Sequence, residues 1–171
     1  MEVTKGKLDG VLVVKPPTIF RDFRGTYVET YNEELYNRAG INIKFVQDDI
    51  SVSSKNVLRG IHGDGETWKF VSCLYGEFYL VVVNWDKASP QYGQWESFTL
   101  SDRNRLQVLV PPKFGNGHLV LSDLAIFHYK QSTYYNRAGQ FTILWNDPKL
   151  NIKWPVANPI TSKRDSGEQH V

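Results

Sequence analysis

The segment from Arg59 to Lys69 carries the densest set of side chains that could do chemistry. It places a histidine, an arginine, a lysine and two carboxylates between two strand-like runs. A connecting loop needs glycine and a few solvated polar groups, but it does not need Arg59, His62 and Lys69 at strand ends. Because side chains alternate between the faces of a strand, His62 can point inward while its neighbours point away. We predict a functional site here; a solvated loop with one satisfied histidine is the ordinary alternative.

A second group of reactive side chains lies in residues 125–135. By the two-residue period of a strand, Phe127 and Tyr129 share one face, whereas His128 and Lys130 share the other. Tyr129 can therefore face the same interior as the histidine of the first segment. A tyrosine in a strand more often serves packing than catalysis, so packing is the competing interpretation.

A third segment, Pro111–His118, joins a stiff pair of prolines to two glycines that allow close backbone approach. An ordinary turn explains it equally well.

Three kinds of function fit these residues. In the first, His62, Asp64 and His118 form the two-histidine, one-carboxylate set that suits a non-haem iron oxygenase. In the second there is no metal: His62 is a general base held by a carboxylate, Tyr129 is an acid across a cavity, and Lys69 stabilises an oxyanion. The third is a non-enzymatic sugar-binding sandwich whose aromatic residues stack on the ligand. Composition alone does not choose among them.

The elements that must position these residues are mostly strands. Short β-branched or aromatic runs alternate with Gly, Pro and Asn, and the chain holds 9 Tyr, 9 Phe and 5 Trp. One short helix is predicted over Glu33–Ala39, where Asn32 can cap the first amides and Gly40 can end the last turn. The pattern predicts an all-β sandwich or barrel. The predicted strands cover residues 11–14, 25–30, 43–46, 49–52, 70–74, 77–84, 95–100, 105–110, 118–121, 125–131 and 142–145.

Length and charge limit the remaining possibilities. The 171 residues are 41% hydrophobic with a net charge of +2, which predicts one folded domain over residues 1–171 and a frayed polar tail from Ser166. So small a charge provides no broad cationic surface for nucleic acid or an anionic membrane. The longest apolar run, Phe78–Val83, is far shorter than the roughly 20 residues that span a bilayer. The N-terminus lacks a secretory apolar core and Cys73 has no partner, so a cytoplasmic location is expected.

Six blocks, in order along the chain, match one family pattern. The blocks are Phe20–Glu29, Phe45–Ser51, Val57–His62, Ser89–Trp95, Trp145–Pro148 and Ser162–Asp165. The corresponding patterns are F-x-D-x-R-G-x-F-x-E, F-V-Q-D-N-x-S, V-L-R-G-L-H, S-P-T-x-G-x-W, W-N-D-P and S-x-x-D. The chain thus resembles the nucleoside-diphosphate 4-keto-6-deoxy-sugar 3,5-epimerases, whose best-known members act on the dTDP-linked precursor of rhamnose. The resemblance implies a cupin-type jelly-roll barrel and a homodimer with exchanged N-terminal strands, with no metal and no cofactor.

The resemblance also implies roles for individual residues. The catalytic base falls on His62, its orienting carboxylate on Asp165, the opposing acid on Tyr129 and the oxyanion-side lysine on Lys69. The substrate-binding positions fall on Arg24, Glu29, Gln47, Arg59, Asn116 and, near the nucleotide base, Tyr135.

The implied reaction explains why these residue types are needed. A proton next to a ketone becomes acidic only when the developing enolate oxygen is stabilised, which is the role of a lysine near that oxygen. Histidine side chains ordinarily titrate near pH ~6.5 and are neutral and basic at physiological pH. A phenol on the other face of the sugar can return a proton and so invert the carbon. The expected function is inversion at C3 of a nucleotide-linked sugar, with C5 as a second candidate centre.

Four departures from the family pattern predict a rebuilt sugar pocket. Gly63-Asp64 stands where the family commonly has Tyr-Gln, Asn116 replaces a histidine, and His118 replaces an aromatic residue. Asp49 replaces an asparagine. Its carboxylate suggests a contact to guanine or to an extra hydroxyl of the substrate; the alternative is a surface ion pair with a nearby lysine. These features look closest to the subgroup that processes GDP-linked 4-keto-6-deoxy-heptoses for capsular polysaccharide. The alternative is the dTDP-4-keto-6-deoxy-glucose epimerase of rhamnose synthesis.

Overall fold

The computed structural model describes residues 1–168, and strands make up most of its regular structure. The strands are β1 Glu2–Lys5, β2 Leu12–Lys15, β3 Ile19–Asp22, β4 Gly25–Val28, β5 Gln47–Ser54, β6 Leu58–Gly63, β7 Lys69–Tyr75, β8 Glu77–Asn84, β9 Trp95–Ser101, β10 Gln107–Val110, β11 Phe114–Val120, β12 Leu124–Gln131 and β13 Phe141–Thr142. The helices are α1 Glu33–Arg38 and α2 Lys163–Ser166, with one 3-10 turn at Arg137–Gly139. The last three residues of the tail predicted from Ser166 lie outside the described residues.

Two antiparallel sheets form the body of the fold. The six-stranded sheet has the order β1-β2-β10-β7-β12-β5, and the five-stranded sheet has the order β13-β6-β11-β8-β9. Strands β3 and β4 form a separate hairpin. The main core contains Val71 and Phe127 of the six-stranded sheet together with Phe78 and Leu80 of the five-stranded sheet. This arrangement is the predicted all-β barrel.

Strand β8 shows why the apolar sequence gives two buried layers. Phe78, Leu80 and Val82 point into the main core, whereas Val81 and Val83 point to the outer face of the sheet. The chain after β12 covers that outer face with Ile143 and other apolar residues. Because both faces are covered, β8 is a continuous apolar run instead of an alternating one.

Residues 1–168 contain two α-helices, whereas the sequence predicted one. In α1, the Asn32 side chain accepts a hydrogen bond from the Leu35 amide, and Tyr36 is buried with its hydroxyl 2.6 Å from Gln107 Oε1. The unpredicted helix, α2, lies near the C-terminal end and begins at the cap residue Ser162. With only four residues, α2 is too short to leave a helical period in the sequence. None of the helices in residues 1–168 is long and apolar enough to cross a membrane.

The strand prediction failed at two informative places. Residues 43–46 are irregular: Phe45 stacks on Phe70 with ring centroids 5.9 Å apart, so this apolar segment covers the sheet instead of extending it. The segment Pro111–His118 was equally well explained as a turn, but from Phe114 onward it belongs to β11. Its glycines are needed because β6 and β11 lie very close together: a Cβ on Gly115 would lie 2.7 Å from Ile61 Cγ2, and a Cβ on Gly117 would lie 3.1 Å from the Arg59 carbonyl oxygen.

Candidate active site

A cavity of about 740 Å³ lies between the two sheets. The five-stranded sheet contributes His62 from β6 and Asn116 from β11, which are direct cross-strand partners. The six-stranded sheet contributes Lys69 from β7 and Tyr129 from β12. Residues from the two polar segments of the sequence therefore meet in one cavity, on opposing walls.

The base and its carboxylate form a direct pair. His62 Nε2 lies 2.6 Å from Asp165 Oδ1, and Asp165 Oδ2 accepts a hydrogen bond of 3.2 Å from the Gly60 amide. Burial alone would raise the pKa of Asp165, but the hydrogen bond and the charge of His62, together with the Gly60 amide, lower it. An ionised carboxylate only accepts hydrogen bonds, so His62 Nε2 carries the proton and Nδ1 keeps its lone pair. The geometry therefore leaves Nδ1 as the basic atom.

Tyr129 stands on the opposite sheet as a protonated phenol. It is the direct cross-strand partner of Asp49 on β5. Burial, the charge of Asp49 and a smaller effect of Tyr135 raise the pKa of Tyr129 to about 12. The phenol therefore keeps its proton throughout the neutral range, as a general acid must.

Asp49 lies in the cavity wall, and not in a surface pair with a lysine. Its Oδ2 accepts hydrogen bonds from Gln47 Nε2 at 2.8 Å and from Gln131 Nε2 at 2.7 Å. We expect Asp49→Asn to lower the pKa of Tyr129, because the substitution removes the charge that disfavours the phenolate. The alkaline limb of the pH–rate profile should then move to lower pH. Asp48→Asn, on the opposite face of β5 beside Lys130, is the control and should leave that limb in place; an unmoved limb in Asp49→Asn would contradict the assignment.

Lys69 is a buried lysine at the start of β7. Burial lowers the pKa of Lys69, the charge of Asp64 raises it and that of Arg164 lowers it further. Its side chain lines the same cavity as His62 and Tyr129. An ammonium group in such a weakly solvated place stabilises a developing negative charge more strongly than it would in water.

The structure brings most of the predicted substrate-binding residues to the cavity. Gln47, Arg59, Asn116 and Tyr135 line it, and the Tyr135 amide donates a 2.9 Å hydrogen bond to Gln47 Oε1.

Arg24 and Glu29 are the exceptions, because neither lines the cavity. Arg24 is exposed in the β3–β4 hairpin and forms an ion pair with Asp22 at 2.6 Å. Glu29 follows the same hairpin and accepts a 3.4 Å hydrogen bond from Thr18. Within one chain, these two residues do not belong to the site.

The iron-binding set suggested by the sequence is wrong. Asp64 Oδ1 accepts the amides of Glu66 and Thr67, at 3.0 and 2.7 Å, and does not line the cavity. The ring of His118 stacks on Phe127. In residues 1–168, no three His, Cys, Asp or Glu side chains are placed to hold a metal ion.

The sequence analysis missed a basic group at the cavity. Lys163 and Arg164 belong to the block from which only Asp165 was selected, and Arg137 follows the tyrosine pair of residues 134–135. Arg164 Nε donates to Thr142 Oγ1 at 3.1 Å, which holds its guanidinium beside the barrel. Three cations around one cavity suit the phosphates of a nucleotide. The run Lys163-Arg164 immediately before Asp165 was the available signal.

Comparisons with known proteins identify the family. A family model described as dTDP-4-dehydrorhamnose 3,5-epimerase matches residues 5–171. The dTDP-4-dehydrorhamnose 3,5-epimerase of Shigella flexneri is 40% identical, over 100% of this chain and 97% of that protein. The crystal structure of dTDP-6-deoxy-D-glucose-3,5-epimerase from Legionella pneumophila, in complex with dTDP-4-keto-L-rhamnose, superposes with a TM-score of 0.91 at 36% identity, covering 97% of this chain and 90% of that chain. ChmJ, a 3'-monoepimerase from Streptomyces bikiniensis solved with dTDP-quinovose, gives a TM-score of 0.88 at 30% identity, covering 94% and 83%.

These matches confirm the family and the cupin-type barrel expected from the six blocks. The relatives carry dTDP in their names, so they support the dTDP alternative and not the GDP-heptose subgroup. The chain belongs to the dTDP-4-dehydrorhamnose 3,5-epimerase family and is a sugar-nucleotide epimerase, an enzyme of the isomerase type.

Proposed function

We propose that the chain epimerises C3 and C5 of a dTDP-linked 4-keto-6-deoxy sugar. The observation that carries the proposal is the arrangement of three groups around one cavity. A His62–Asp165 pair stands on one sheet, a protonated Tyr129 stands on the other, and the buried Lys69 lines the space between them. Abstraction of a proton next to a ketone, followed by its return from the opposite face, needs these groups in this arrangement.

Each step follows from the state of the side chains. His62 Nδ1 takes the proton from the carbon, and the electron pair of the C–H bond becomes the enolate, whose negative oxygen the Lys69 ammonium stabilises. Tyr129 then gives its phenolic proton to the other face of that carbon. The imidazolium proton leaves to solvent and the tyrosinate regains one from solvent, so that no net proton is consumed. Solvent hydrogen therefore enters the product at each inverted carbon.

The GDP-heptose expectation has no support among the relatives, and one of the departures behind it has a structural cause. A Cβ on Gly63 would lie 2.3 Å from the Phe114 carbonyl oxygen and 2.4 Å from the Phe141 ring. Asp64 closes the following turn through the two amides described above. The Gly63-Asp64 pair therefore serves the barrel, and it does not indicate a particular nucleotide.

Solvent exchange tests the proposed function directly. The enzyme is incubated in heavy water with dTDP-4-keto-6-deoxy-glucose, and C3 and C5 are followed by NMR and mass spectrometry. We expect one deuterium at each centre with inverted configuration. GDP-4-keto-6-deoxy-mannose at the same concentration is the matched comparison. Uptake from the GDP sugar alone would overturn the dTDP assignment, and uptake from neither would overturn the proposed activity.

Lys69→Met should separate catalysis from stability. The variant keeps the length of the side chain but removes the charge that stabilises the enolate, so kcat should fall by about 10²–10³-fold. The melting temperature should stay the same or rise, because a buried cation is costly to desolvate. Lys130→Met is the control, since Lys130 pairs with Asp48 outside the cavity. A Lys69→Met enzyme with the wild-type kcat would remove Lys69 from the mechanism.

We propose that the active form is a homodimer in which the β3–β4 hairpin reaches the cavity of the second copy. Phe20, Phe23 and Tyr27 on this hairpin are exposed, as are Ile50 and Val52 on the edge strand β5. Exposed aromatic residues and an unpaired strand edge are each typical of a surface that a partner covers. A dimer of this kind would also explain why Arg24 lies outside the cavity of its own chain.

Mixing two inactive variants tests this dimer. Arg24→Ala and His62→Asn are each expected to be inactive, but a mixed dimer has one cavity that carries neither substitution. Random reassortment should restore about a quarter of the wild-type activity per site. Equilibrium sedimentation checks that the two variants form dimers. Lack of recovery after reassortment would show that Arg24 acts within its own chain or not at all.

A further inference from the structure

Three buried polar atoms on the cavity wall have no hydrogen-bond partner. They are Ser51 Oγ, Asn116 Oδ1 and His118 Nε2, and within residues 1–168 no other buried side-chain nitrogen or oxygen is in this state. All three residues line the cavity. Buried polar groups are nearly always hydrogen-bonded in native proteins, because leaving them unpaired is costly. Their concentration in one cavity points to a bound group that completes them.

Two of the three residues, Ser51 and His118, adjoin Phe127. Ser51 is its direct cross-strand partner, and the ring of His118 stacks on it with centroids 4.1 Å apart and planes within 7°. His118 also contacts Phe78 and is only 4% exposed, so its ring is held in place. Asn116 lies two residues before His118 on β11, on the same face of the strand. The orphan atoms therefore form a polar patch where the two sheets meet at the stack of Phe127 and His118: Ser51 belongs to the six-stranded sheet, and Asn116 and His118 belong to the five-stranded sheet.

The chemistry of this patch favours a hydroxyl over a phosphate. Burial and the charge of Arg59 lower the pKa of His118 to about 3 against the opposing effect of Asp165, so the ring is neutral in the working range. The patch thus offers the Ser51 hydroxyl, the side-chain carbonyl of Asn116 and the neutral imidazole of His118, and none of these groups carries a positive charge. A phosphate only accepts hydrogen bonds and would leave the Asn116 carbonyl unpaired, whereas a hydroxyl both donates and accepts.

The substrate class proposed above narrows the choice of hydroxyl. A 4-keto-6-deoxy-hexose joined through C1 to a nucleotide carries hydroxyls only at C2 and C3. Inversion at C3 moves its hydroxyl from one face of the ring to the other, so a rigid patch cannot hold it in both configurations. The C2 hydroxyl keeps its configuration throughout the reaction. Resting on the proposed function, we infer that Ser51, Asn116 and His118 bind the C2 hydroxyl of the sugar and make the enzyme selective for sugars that have one.

Binding of unreactive sugar nucleotides tests this subsite apart from catalysis. dTDP-glucose and dTDP-2-deoxyglucose are titrated calorimetrically into the wild-type enzyme and into His118→Phe. The wild type should prefer dTDP-glucose by about tenfold or more, and His118→Phe should largely lose that preference. Phenylalanine keeps the stack on Phe127, and general damage to the site would weaken both ligands alike. His128→Phe is the matched control, because His128 faces Asp48 outside the cavity; it should keep the preference.

A smaller side chain provides a second readout. Ser51→Ala should narrow the same preference without a change in dTDP-2-deoxyglucose affinity. An equal preference in the wild type and His118→Phe would overturn the subsite even if both sugars bind tightly. Loss of the preference in the variant would support the subsite even if the heavy-water experiment shows no epimerisation. The experiments can therefore contradict the hydroxyl subsite and the proposed epimerase activity independently of each other.

Discussion

Replacing His62 with Asn should abolish deuterium uptake from heavy water at every exchanging carbon. Asparagine keeps a polar group beside Asp165 but has no basic nitrogen, so no group remains in place to remove the proton. The rate of uptake should fall by at least about 10⁴-fold, the upper range for loss of a general base. NMR of the recovered sugar nucleotide at C3 and C5 measures both centres in one sample.

Asp165→Asn is the informative companion to that variant. It leaves the imidazole in the cavity but removes the charge that fixes its tautomer, so uptake should be slowed and not abolished. Binding of dTDP, measured by calorimetry, should be retained in His62→Asn and shows that the cavity is intact. Wild-type uptake in His62→Asn would require a different base and would refute the assignment.

Tyr129→Phe should uncouple exchange from inversion. His62 can still remove the proton and return a deuteron to the same face, so uptake should continue with the configuration retained. Inverted product should fall by about 10²–10⁴-fold, because no acid remains on the far face. The configuration of the product at C3 and C5 is determined in the same sample in which deuterium is counted. The two measurements together distinguish exchange with retention from exchange with inversion.

Tyr135→Phe is the matched control for this variant. It removes a phenol from the rim of the same cavity, yet it leaves the backbone amide that bonds Gln47. Inversion should proceed in this control. Equal inversion by Tyr129→Phe and the wild type would exclude Tyr129 as the acid, and loss of both exchange and inversion would indicate that the phenol has a role in proton removal.

The sequence pattern predicted correctly those features that depend only on residues close together in the chain. Alternation along β12 correctly placed Phe127 and Tyr129 on one face and His128 on the other, where the structure shows it beside Asp48, because a strand fixes the side of each residue by parity alone. The contact between His62 and Asp165 spans 103 residues. No spacing rule predicts it, and only the resemblance to a known family brought the two residues together.

Contacts between residues far apart in the sequence also explain where the sequence-based predictions were wrong. The iron-binding hypothesis grouped Asp64 with His62, but Asp64 Oδ1 accepts hydrogen bonds from the Glu66 and Thr67 amides of the turn that follows. Residues 58–63 were not recognised as a strand, because Gly60 and Gly63 reduce strand propensity and are required by contacts with a distant strand, β11. Arg24 and Glu29 could not be placed in a cavity from the sequence, since their positions depend on a hairpin that stands apart from both sheets.

The position of the orienting carboxylate has a consequence for how the enzyme can be inactivated. Asp165 lies on α2, beyond the last backbone–backbone hydrogen bond that residues 1–168 show between the C-terminal segment and the barrel, in which the Leu58 amide donates to the Ile160 carbonyl at 2.9 Å. A single proteolytic cut just before Ser162 would release this carboxylate together with Lys163 and Arg164, while both sheets and their core stay assembled. Such a clipped molecule would be well folded by circular dichroism and inert towards its substrate, so electrophoretic mobility would be a better guide to the quality of a preparation than its folding.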